Sequence, residues 1–293
     1  MKKAIIPLMT VLLLCASCDR VREYFHKMRQ KAVEETVVGD TKKGDKEDQQ
    51  EKQQQLQFTR VSYCSPDSSV IAEADIPKRD GSVVADSILN YLNNCFPHLR
   101  EHCSGNRPQQ GFERVGQQMY ETMRGEIDEF KAGFGDDEIP EYALEWSQET
   151  RVTMVCNQPR YVTMLAVTSE YRGGAHGMHY VFGTTFDKQT GRSIDQSILT
   201  NTDSPEFKSM LQQKLLKYFT DNDGDENASL DEYLLVSPEH VPIGNVSLTA
   251  NGVVIMYQPY EIAPYAAGLP EVVLTFEQVR PFLTQQGLAL INM

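Results

Sequence analysis

Three stretches of the chain repeat their apolar residues every three or four positions, the spacing of one helix face. The first follows Ser82, whose hydroxyl suits a helix N-cap, and the third follows Ser204, with Pro205 at a favourable first position. The apolar positions of the three predicted helices are Val84, Ile88, Tyr91, Leu92 and Cys95; Phe112, Val115, Met119, Met123, Ile127 and Phe130; and Phe207, Met210, Leu211, Leu215 and Phe219. Each helix is therefore expected to bury one face against another element.

Other stretches are rich in β-branched and aromatic residues, which is typical of strands. They are residues 59–63, 70–76, 161–171, 178–186, 253–257 and 271–276. Residues 187–191 predict a hairpin connection, because Gly191 can adopt a positive φ. The first half is thus read as strand, helix, helix, strand, and strands dominate the second half. The pattern predicts an α+β fold in which a mostly antiparallel sheet packs against a few helices.

These elements are expected to form two adjoining small α/β modules, residues 58–158 and residues 159–293. The segment before them, residues 18–57, is charged and rich in glutamine. It contains too few apolar side chains to offset the entropy that ordering would cost. We expect it to be a stalk that precedes the folded part.

The first 17 residues have the pattern of a bacterial secretion signal. Lys2 and Lys3 give it a positive start, and the eleven-residue apolar run 4–14 is too short to span a bilayer. Small residues then precede Cys18, as in the processing site of a lipoprotein. The sequence predicts that Cys18 carries lipid and anchors the mature chain to a membrane of the cell envelope, with the outer membrane as the expected location. The alternative is an ordinary secretory signal in which Cys18 has no role.

The chain is acidic, with a formal net charge of −13. Removal of the signal would change this to −15, because Lys2 and Lys3 leave with it. Such a charge repels nucleic acid and anionic lipid surfaces and attracts a basic partner. No nucleic-acid ligand is expected.

Four cysteines remain after Cys15 and Cys18 are set aside, and an oxidising compartment would allow them to pair. Cys95 and Cys103 enclose only seven residues, which leaves Cys64 to pair with Cys156. Four cysteines allow three connectivities, and this pairing is a preference among them. Free buried thiols are the alternative.

Three separated segments resemble a known family of extracytoplasmic domains. The segments are Tyr171-Arg172-Gly173-Gly174-Ala175-His176-Gly177, Phe186-Asp187-Lys188-Gln189-Thr190-Gly191-Arg192 and Tyr260-Glu261-Ile262-Ala263-Pro264-Tyr265-Ala266-Ala267-Gly268. They resemble the domain shared by RsiV-type anti-sigma factors and PdaC-type peptidoglycan deacetylases, which is domain of unknown function 3298, joined to domain of unknown function 4163. The resemblance covers roughly residues 160–285 and extends more weakly back to about residue 59.

The resemblance implies a sensing or binding part without the rest of either kind of protein. Neither the cytoplasmic segment of the anti-sigma factors nor the separate catalytic domain of the deacetylases is expected here. In RsiV-type relatives this part binds lysozyme, a strongly basic protein. The resemblance therefore implies a basic protein or a glycan as ligand, with the motif residues as the candidate binding site: Tyr171, Gly173, Gly174, His176, Tyr260 and Tyr265.

Two pairs of histidines are candidate metal ligands, and each also has a structural explanation. His176 and His179 are candidate ligands, but a zinc site needs further ligands and the favoured role of His176 is a structural hydrogen bond. His98 and His102 lack the Glu of a zincin motif and are read as exposed.

Residues 221–232 place oxygen side chains at the EF-hand positions 1, 3, 5 and 12, namely Asp221, Asp223, Asp225 and Glu232. Glu226 stands where an EF-hand requires Gly, so a solvated acidic loop is favoured and calcium is a minority hypothesis. No other cofactor is expected.

Tyr257, Tyr260 and Tyr265 are candidates for stacking on a sugar ring or for contacts in a protein interface, or they close one end of the sheet. No nucleophile motif or phosphate loop is evident.

Three hypotheses for the function remain open. The first is an envelope binding lipoprotein that recognises peptidoglycan fragments or a lysozyme-like protein, the second is a hydrolase of cell-wall glycan or peptide, and the third is a structural or assembly lipoprotein.

The lipid anchor can be tested by replacing its cysteine. Cys18→Ser removes the thiol that would carry the lipid, so the variant should leave the membrane fraction and enter the soluble fraction. Cell fractionation followed by immunoblotting measures this, with Cys15→Ser as the matched control that should stay on the membrane. A Cys18→Ser protein that still sediments with membranes would contradict the anchor.

Overall fold

The structure of the protein is a computed structural model that describes residues 55–103, 105–135, 138–223 and 227–291. The predicted signal, Cys18 and almost all of the predicted stalk lie outside these residues. Leu56, at the end of that stalk, is buried in the core, so the folded part begins slightly before residue 58. Within the described residues, no helix has both the length and the apolar composition that a membrane crossing requires.

The larger of two sheets contains six strands in sequence order: β1 (Phe58–Cys64), β2 (Val70–Pro77), β3 (Ser147–Asn157), β4 (Tyr161–Tyr171), β5 (Met178–Asp187) and β6 (Ser193–Ile194). The pair β2 and β3 is parallel and the other pairs are antiparallel. A parallel pair needs a long crossover connection, and here the connection carries helices. They are α1 (Val83–Cys95), α2 (Leu99–His102) and α3 (Pro108–Ala132).

These three helices cover one face of the large sheet. The helix residues Ile88, Leu92 and Phe112 are fully buried against alternate residues of β2, β3 and β4. Their spacing is the one expected from the sequence, and the Ser82 hydroxyl accepts a hydrogen bond from the Ala85 N–H at 3.3 Å. The predicted helix cap and the buried stripes are therefore confirmed.

The smaller sheet packs on the opposite face. It consists of β7 (Asn245–Leu248), β8 (Gly252–Met256) and β9 (Glu271–Thr275), all antiparallel. Its other side is covered by α4 (Pro205–Asp223), and three shorter helices follow in this half: α5 (Leu230–Tyr233), α6 (Phe276–Val279) and α7 (Gln285–Ile291). Strand β4 is buried on both faces as a result. Its even-numbered residues from Val162 to Ala166 contact the helices, while Leu165 and Val167 contact the smaller sheet.

A closed ring of hydrogen bonds joins the two sheets. The Leu248 N–H donates to Thr185 Oγ1 at 2.8 Å, and Thr163 Oγ1 donates to the Leu248 carbonyl at 2.7 Å. The two threonine hydroxyls are 2.9 Å apart. Since the Thr163 proton is used on the carbonyl, the Thr185 hydroxyl donates to Thr163 and the ring closes. All of these groups are buried, so each polar atom depends on the others.

Side-chain amides occupy backbone positions at the edges of the large sheet. Gln258 accepts from the Val181 N–H at 3.1 Å and donates to the Val181 carbonyl at 2.7 Å. On the opposite edge, Gln109 makes the same two bonds to Ser62, at 3.1 and 2.9 Å. Each glutamine thereby replaces one residue of a missing neighbouring strand.

The sequence predictions for the fold are mostly confirmed. The mixed α+β architecture, the three main helices and the predicted strands are present, and Gly191 has a φ of +69° in the hairpin after β5. Strand β3 is the last strand of the predicted order strand, helix, helix, strand in the first half, and the sequence pattern does not predict where it begins and ends. The four-residue strand β7 was not predicted. The boundary at residue 158 lies in the hairpin between β3 and β4, which pair along their length, so both predicted modules contribute to one sheet.

The predicted disulfides are not present, because none of the four cysteines in the described part of the chain is bonded to another cysteine. Cys64 is opposite Ile71, which is opposite Glu149, and Cys156 lies seven residues further along β3. Seven residues of strand span about 23 Å, far beyond the reach of a disulfide. The Cys64–Cys156 pairing is therefore wrong.

Cys95 and Cys103 are also unpaired. The Cys103 thiol donates to the Pro108 carbonyl at 3.6 Å, and the Cys95 thiol interacts with Tyr91. Burial raises the pKa of both thiols to about 11, so both remain protonated and unreactive at neutral pH.

The ring between the sheets can be tested with an isosteric change. Thr185→Val leaves the buried Leu248 N–H without its acceptor, so the free energy of unfolding should fall by about 1 to 3 kcal/mol. Thr168→Val, at a half-buried position of β4 outside the ring, should change it by less than about 0.5 kcal/mol. Urea denaturation of both variants measures the difference, and equal stabilities would show that the ring contributes nothing.

Candidate functional site

Two of the three segments that carry the family resemblance meet at one end of the large sheet. One is the turn between β4 and β5, which contains His176. The other follows β8 and contains Tyr260 and Tyr265. They are 84 residues apart in sequence, yet the Tyr260 hydroxyl lies 3.5 Å from His176 Nε2.

Glycines determine the path of the β4–β5 turn. Gly173 and Gly174 have φ values of +84° and +95°, where other residues are strained. A Cβ on Gly173 would also lie 3.1 Å from the Ala143 carbonyl oxygen, which is closer than most Cβ atoms approach another atom. The Tyr171 hydroxyl donates to the Gly174 carbonyl at 3.1 Å. Tyr171, Gly173 and Gly174 therefore shape the turn that presents His176.

The second segment is fixed to the edge of β5. Gln258 binds both backbone groups of Val181, and its own N–H donates to Glu261 at 2.8 Å. Between them, Tyr260 has a φ of +66°, which is rare for an aromatic residue, and is 51% exposed. Such backbone strain is common at functional sites. The anchored turn therefore directs the Tyr260 ring outward.

Tyr257, the remaining candidate tyrosine, does not reach the surface on which Tyr260 is exposed. Its side chain is fully buried, and its hydroxyl donates to the Pro242 carbonyl at 3.0 Å. Burial raises its pKa well above the ordinary tyrosine value. The expectation that Tyr257 is an exposed aromatic is wrong, because the side chain of this residue, which directly follows β8, is buried in the core.

Four rings form what we call the ring patch: His176, His179, Tyr260 and Tyr265. Tyr265 is the central ring. It stacks on His176 with centroids 4.2 Å apart and planes inclined by 23°, and it meets the edge of His179 at 5.1 Å. Tyr260 lies 5.9 Å from Tyr265 at a tilt of 32°. Three residues predicted from the motifs are thus brought together, with His179 as a fourth.

Hydrogen bonds hold the rings in place. His176 Nδ1 lies 2.9 Å from the Gly177 carbonyl, which can only accept, so the proton of the neutral ring is on Nδ1. Nε2 is then the acceptor that faces the Tyr260 hydroxyl. The Tyr265 hydroxyl lies 3.2 Å from His179 Nδ1. The structural hydrogen bond expected for His176 is present, and these ring nitrogens have partners within the patch.

His179 is the buried member of the patch, with 8% of its surface exposed. Strand alternation places it on the same face as Val181, toward the smaller sheet. Burial lowers its pKa, and the neighbouring His176 lowers it further. The neutral imidazole is therefore favoured, which suits its role as the support beneath Tyr265.

The surface left by this arrangement is an exposed array of aromatic faces. His176 and Tyr260 are exposed, and Tyr265 is half-buried between them. Such faces bind sugar rings, other aromatic groups or cationic side chains, because they are apolar and the ring quadrupole makes them partially negative. The geometry supports recognition of a ligand.

The predicted calcium ligands are only partly within the described residues. Asp221 binds Lys217 Nζ at 2.9 and 3.0 Å on the exposed side of α4. Glu232 accepts from the backbone N–H of Ser229 at 2.9 Å and so caps α5. The side chain of Asp223 and the whole of Asp225 lie outside the description. Calcium binding by this loop stays a prediction.

No group of three or more His, Cys, Asp or Glu side chains in the described part of the chain is arranged to hold a metal ion. His98 precedes α2 and His102 ends it, and their rings lie 6.5 Å apart. His98 is exposed and His102 is half-buried.

The burial of His179 makes stability depend on pH. A histidine whose pKa is lowered by folding binds its proton more easily in the unfolded chain, so stability falls as the pH decreases below about 6.5. The free energy of unfolding should be lower at pH 5.5 than at pH 7.5, and His179→Gln should reduce this difference. Chemical denaturation at both pH values checks this. The exposed His240→Gln variant is the control, and an unchanged difference in His179→Gln would contradict the assignment.

Comparison with known proteins identifies part of the chain. A family model described as "Protein of unknown function (DUF3298)" matches residues 197–277. This range includes the Tyr260 and Tyr265 segment, whereas the His176 turn precedes it. A search of curated proteins gives no match.

Two solved structures are similar to this one. A DUF3298 family member from Bacteroides fragilis has 17% sequence identity and a TM-score of 0.60, and the alignment covers 81% of this chain and 97% of that one. A DUF3298 family protein from Pseudomonas aeruginosa has 16% identity and a TM-score of 0.49, with 78% and 95% covered. At this identity the likeness to the first concerns the fold. The resemblance of the first half to domain of unknown function 4163 stays a prediction, whereas residues 197–277 match the DUF3298 family model.

Proposed function

We propose that this protein is a lipid-anchored binding protein of the cell envelope that recognises its ligand at the ring patch. The observation that carries the proposal is the meeting of His176, Tyr260 and Tyr265, which places three rings from two distant motifs on one exposed surface. The anchor itself rests on the sequence at Cys18 and its preceding signal.

The state of the histidines supports binding over catalysis. His176 faces the Gly177 carbonyl with one ring nitrogen and the Tyr260 hydroxyl with the other. His179 is buried beneath Tyr265. Both imidazoles therefore position aromatic rings, which is a recognition role.

The ligand class that this geometry favours is a glycan, in particular a peptidoglycan fragment. Stacked and tilted rings present flat apolar faces that match the C–H faces of sugars, while the Tyr260 hydroxyl and the ring nitrogens provide polar contacts at their edges. An extracytoplasmic location would bring such fragments within reach of the site.

A basic, lysozyme-like protein is the second candidate. The acidic charge of the chain favours it, because a net charge of −13 attracts a cationic partner. The resemblance to RsiV-type domains points in the same direction. Aromatic faces also accept Lys and Arg side chains.

Calorimetric titration separates the two candidates. The purified full chain is titrated with soluble peptidoglycan fragments and, separately, with lysozyme, at low and high salt. Lysozyme binding should weaken strongly with salt, whereas glycan binding should change little. Tyr260→Ala should weaken binding of the true ligand about threefold to tenfold, since it removes one stacking contact.

Tyr142→Ala is the matched control. Tyr142 is also a strongly exposed tyrosine, but it lies outside the ring patch, so its loss should leave affinity unchanged. Absence of binding to both ligands, or equal loss in the two variants, would refute the proposed role of the ring patch.

A further inference from the structure

A cleft is present whose lining includes none of the four rings of the ring patch. This cleft is bounded by the turn between β1 and β2, by helix α3 and by the segment that leads into β3. Its volume is about 320 Å³, at the lower end of the range typical of small-molecule sites. The residues that line it come from outside the three segments that resemble the known family.

The floor of the cleft is apolar. Met123 and Ile127 of α3 line it and are almost fully buried, with 1% and 2% of their surfaces exposed. Leu144 and Trp146 complete it and pack against the same buried cluster. Such a floor favours an aliphatic or aromatic body on the ligand.

A fixed carboxylate stands at one part of the rim. Asp67 accepts hydrogen bonds from the hydroxyls of Ser65 and Ser69 at 2.8 and 2.6 Å, and from the Tyr120 hydroxyl at 3.1 Å. The bonds from Ser69 are the main cause of a lowered pKa, so the group stays ionised. Among the described residues its Oδ2 accepts a hydrogen bond from Tyr120 alone, and the side chain is exposed. Asp67 is therefore a preformed negative group with room for a cationic partner.

A guanidinium stands at another part of the rim. Arg124 is exposed and lines the cleft one helical turn after Tyr120. Among the residues that the structure describes, it forms no ion pair. Glu145 adds a second exposed carboxylate to the lining. The rim thus carries both signs of charge around an apolar floor.

We propose that this cleft binds a small zwitterion with an apolar side chain, that is, a free amino acid or a short peptide. The apolar side chain would lie on the half-buried Leu144 and against the edge of Trp146, the carboxylate would bind Arg124 and the ammonium would bind Asp67. Charge-assisted bonds of this kind are among the strongest polar contacts in proteins.

Two observations favour this class over a sugar or a simple anion. The Arg172 guanidinium lies 4.8 Å from the centroid of the Trp146 ring, so that face is not free to stack on a sugar. The two carboxylates of the rim outnumber its one guanidinium, which disfavours a ligand that carries only negative charge. The proposal is independent of the ring patch.

The cleft contains the chain's single tryptophan, so intrinsic fluorescence reports on it directly. Leucine and leucyl-leucine are titrated into the purified full chain, with calorimetry in parallel, and the two arms separate a free amino acid from a peptide. At least one should give a saturable signal. N-acetyl-leucine, which lacks the ammonium, and leucinamide, which lacks the carboxylate, should each bind about tenfold more weakly or worse.

Arg124→Gln should weaken binding of the zwitterion about tenfold and leave leucinamide binding unchanged, because only the zwitterion has a carboxylate to lose. Arg114→Gln, an exposed arginine on the same helix outside the cleft, should have no effect. Three results would overturn the proposal: no signal from either zwitterion by both methods, equal binding of N-acetyl-leucine, or full binding by a folded Arg124→Gln protein. His176→Ala should leave this binding intact, which separates failure here from failure at the ring patch.

Discussion

The closed hydrogen-bond ring of Thr163, Thr185 and Leu248 is the contact on which the arrangement of this molecule depends. It forms where β4 and β5 are covered on both sides, so no water is available to replace a missing partner. Apolar contacts between the two sheets are not directional and would tolerate sliding. The ring is directional, and it fixes one position of the smaller sheet on the larger one.

The ring patch follows from that fixed position. Once β7 and β8 are placed on β5, the segment after β8 lies along the edge of β5, where Gln258 joins it to Val181. Tyr260 follows Gln258 by two residues, and His176 lies just before β5 begins. A surface made of two motifs far apart in sequence thus becomes a local consequence of how two sheets are packed. The positions of the exposed rings depend on these backbone contacts, because His176 and Tyr260 are not enclosed by the core.

Features that depend on neighbouring residues were predictable from the sequence. Helices α1, α3 and α4 carry their caps and apolar stripes locally, and the glycines of the β4–β5 turn indicate its shape. The parallel pairing of β2 with β3 was not predictable from the sequence. It brings Glu73 and Arg151 together from positions 78 residues apart, and in the sequence both look like ordinary surface charges. Tyr257 and Tyr260 are equally aromatic and only the tertiary fold separates the buried ring from the exposed one. The distance between Cys64 and Cys156 likewise follows from strand register, which spacing does not encode.

The glutamines at the two edges of the large sheet have a consequence for the molecule in a crowded setting. A bare strand edge offers alternating donors and acceptors to any other chain with the same need. Gln109 and Gln258 satisfy part of that pattern with their own amides, so an incoming strand would have to displace a bond that is already made. The same contacts that hold α3 and the Tyr260 segment in place therefore also oppose the pairing of another chain with these strand edges.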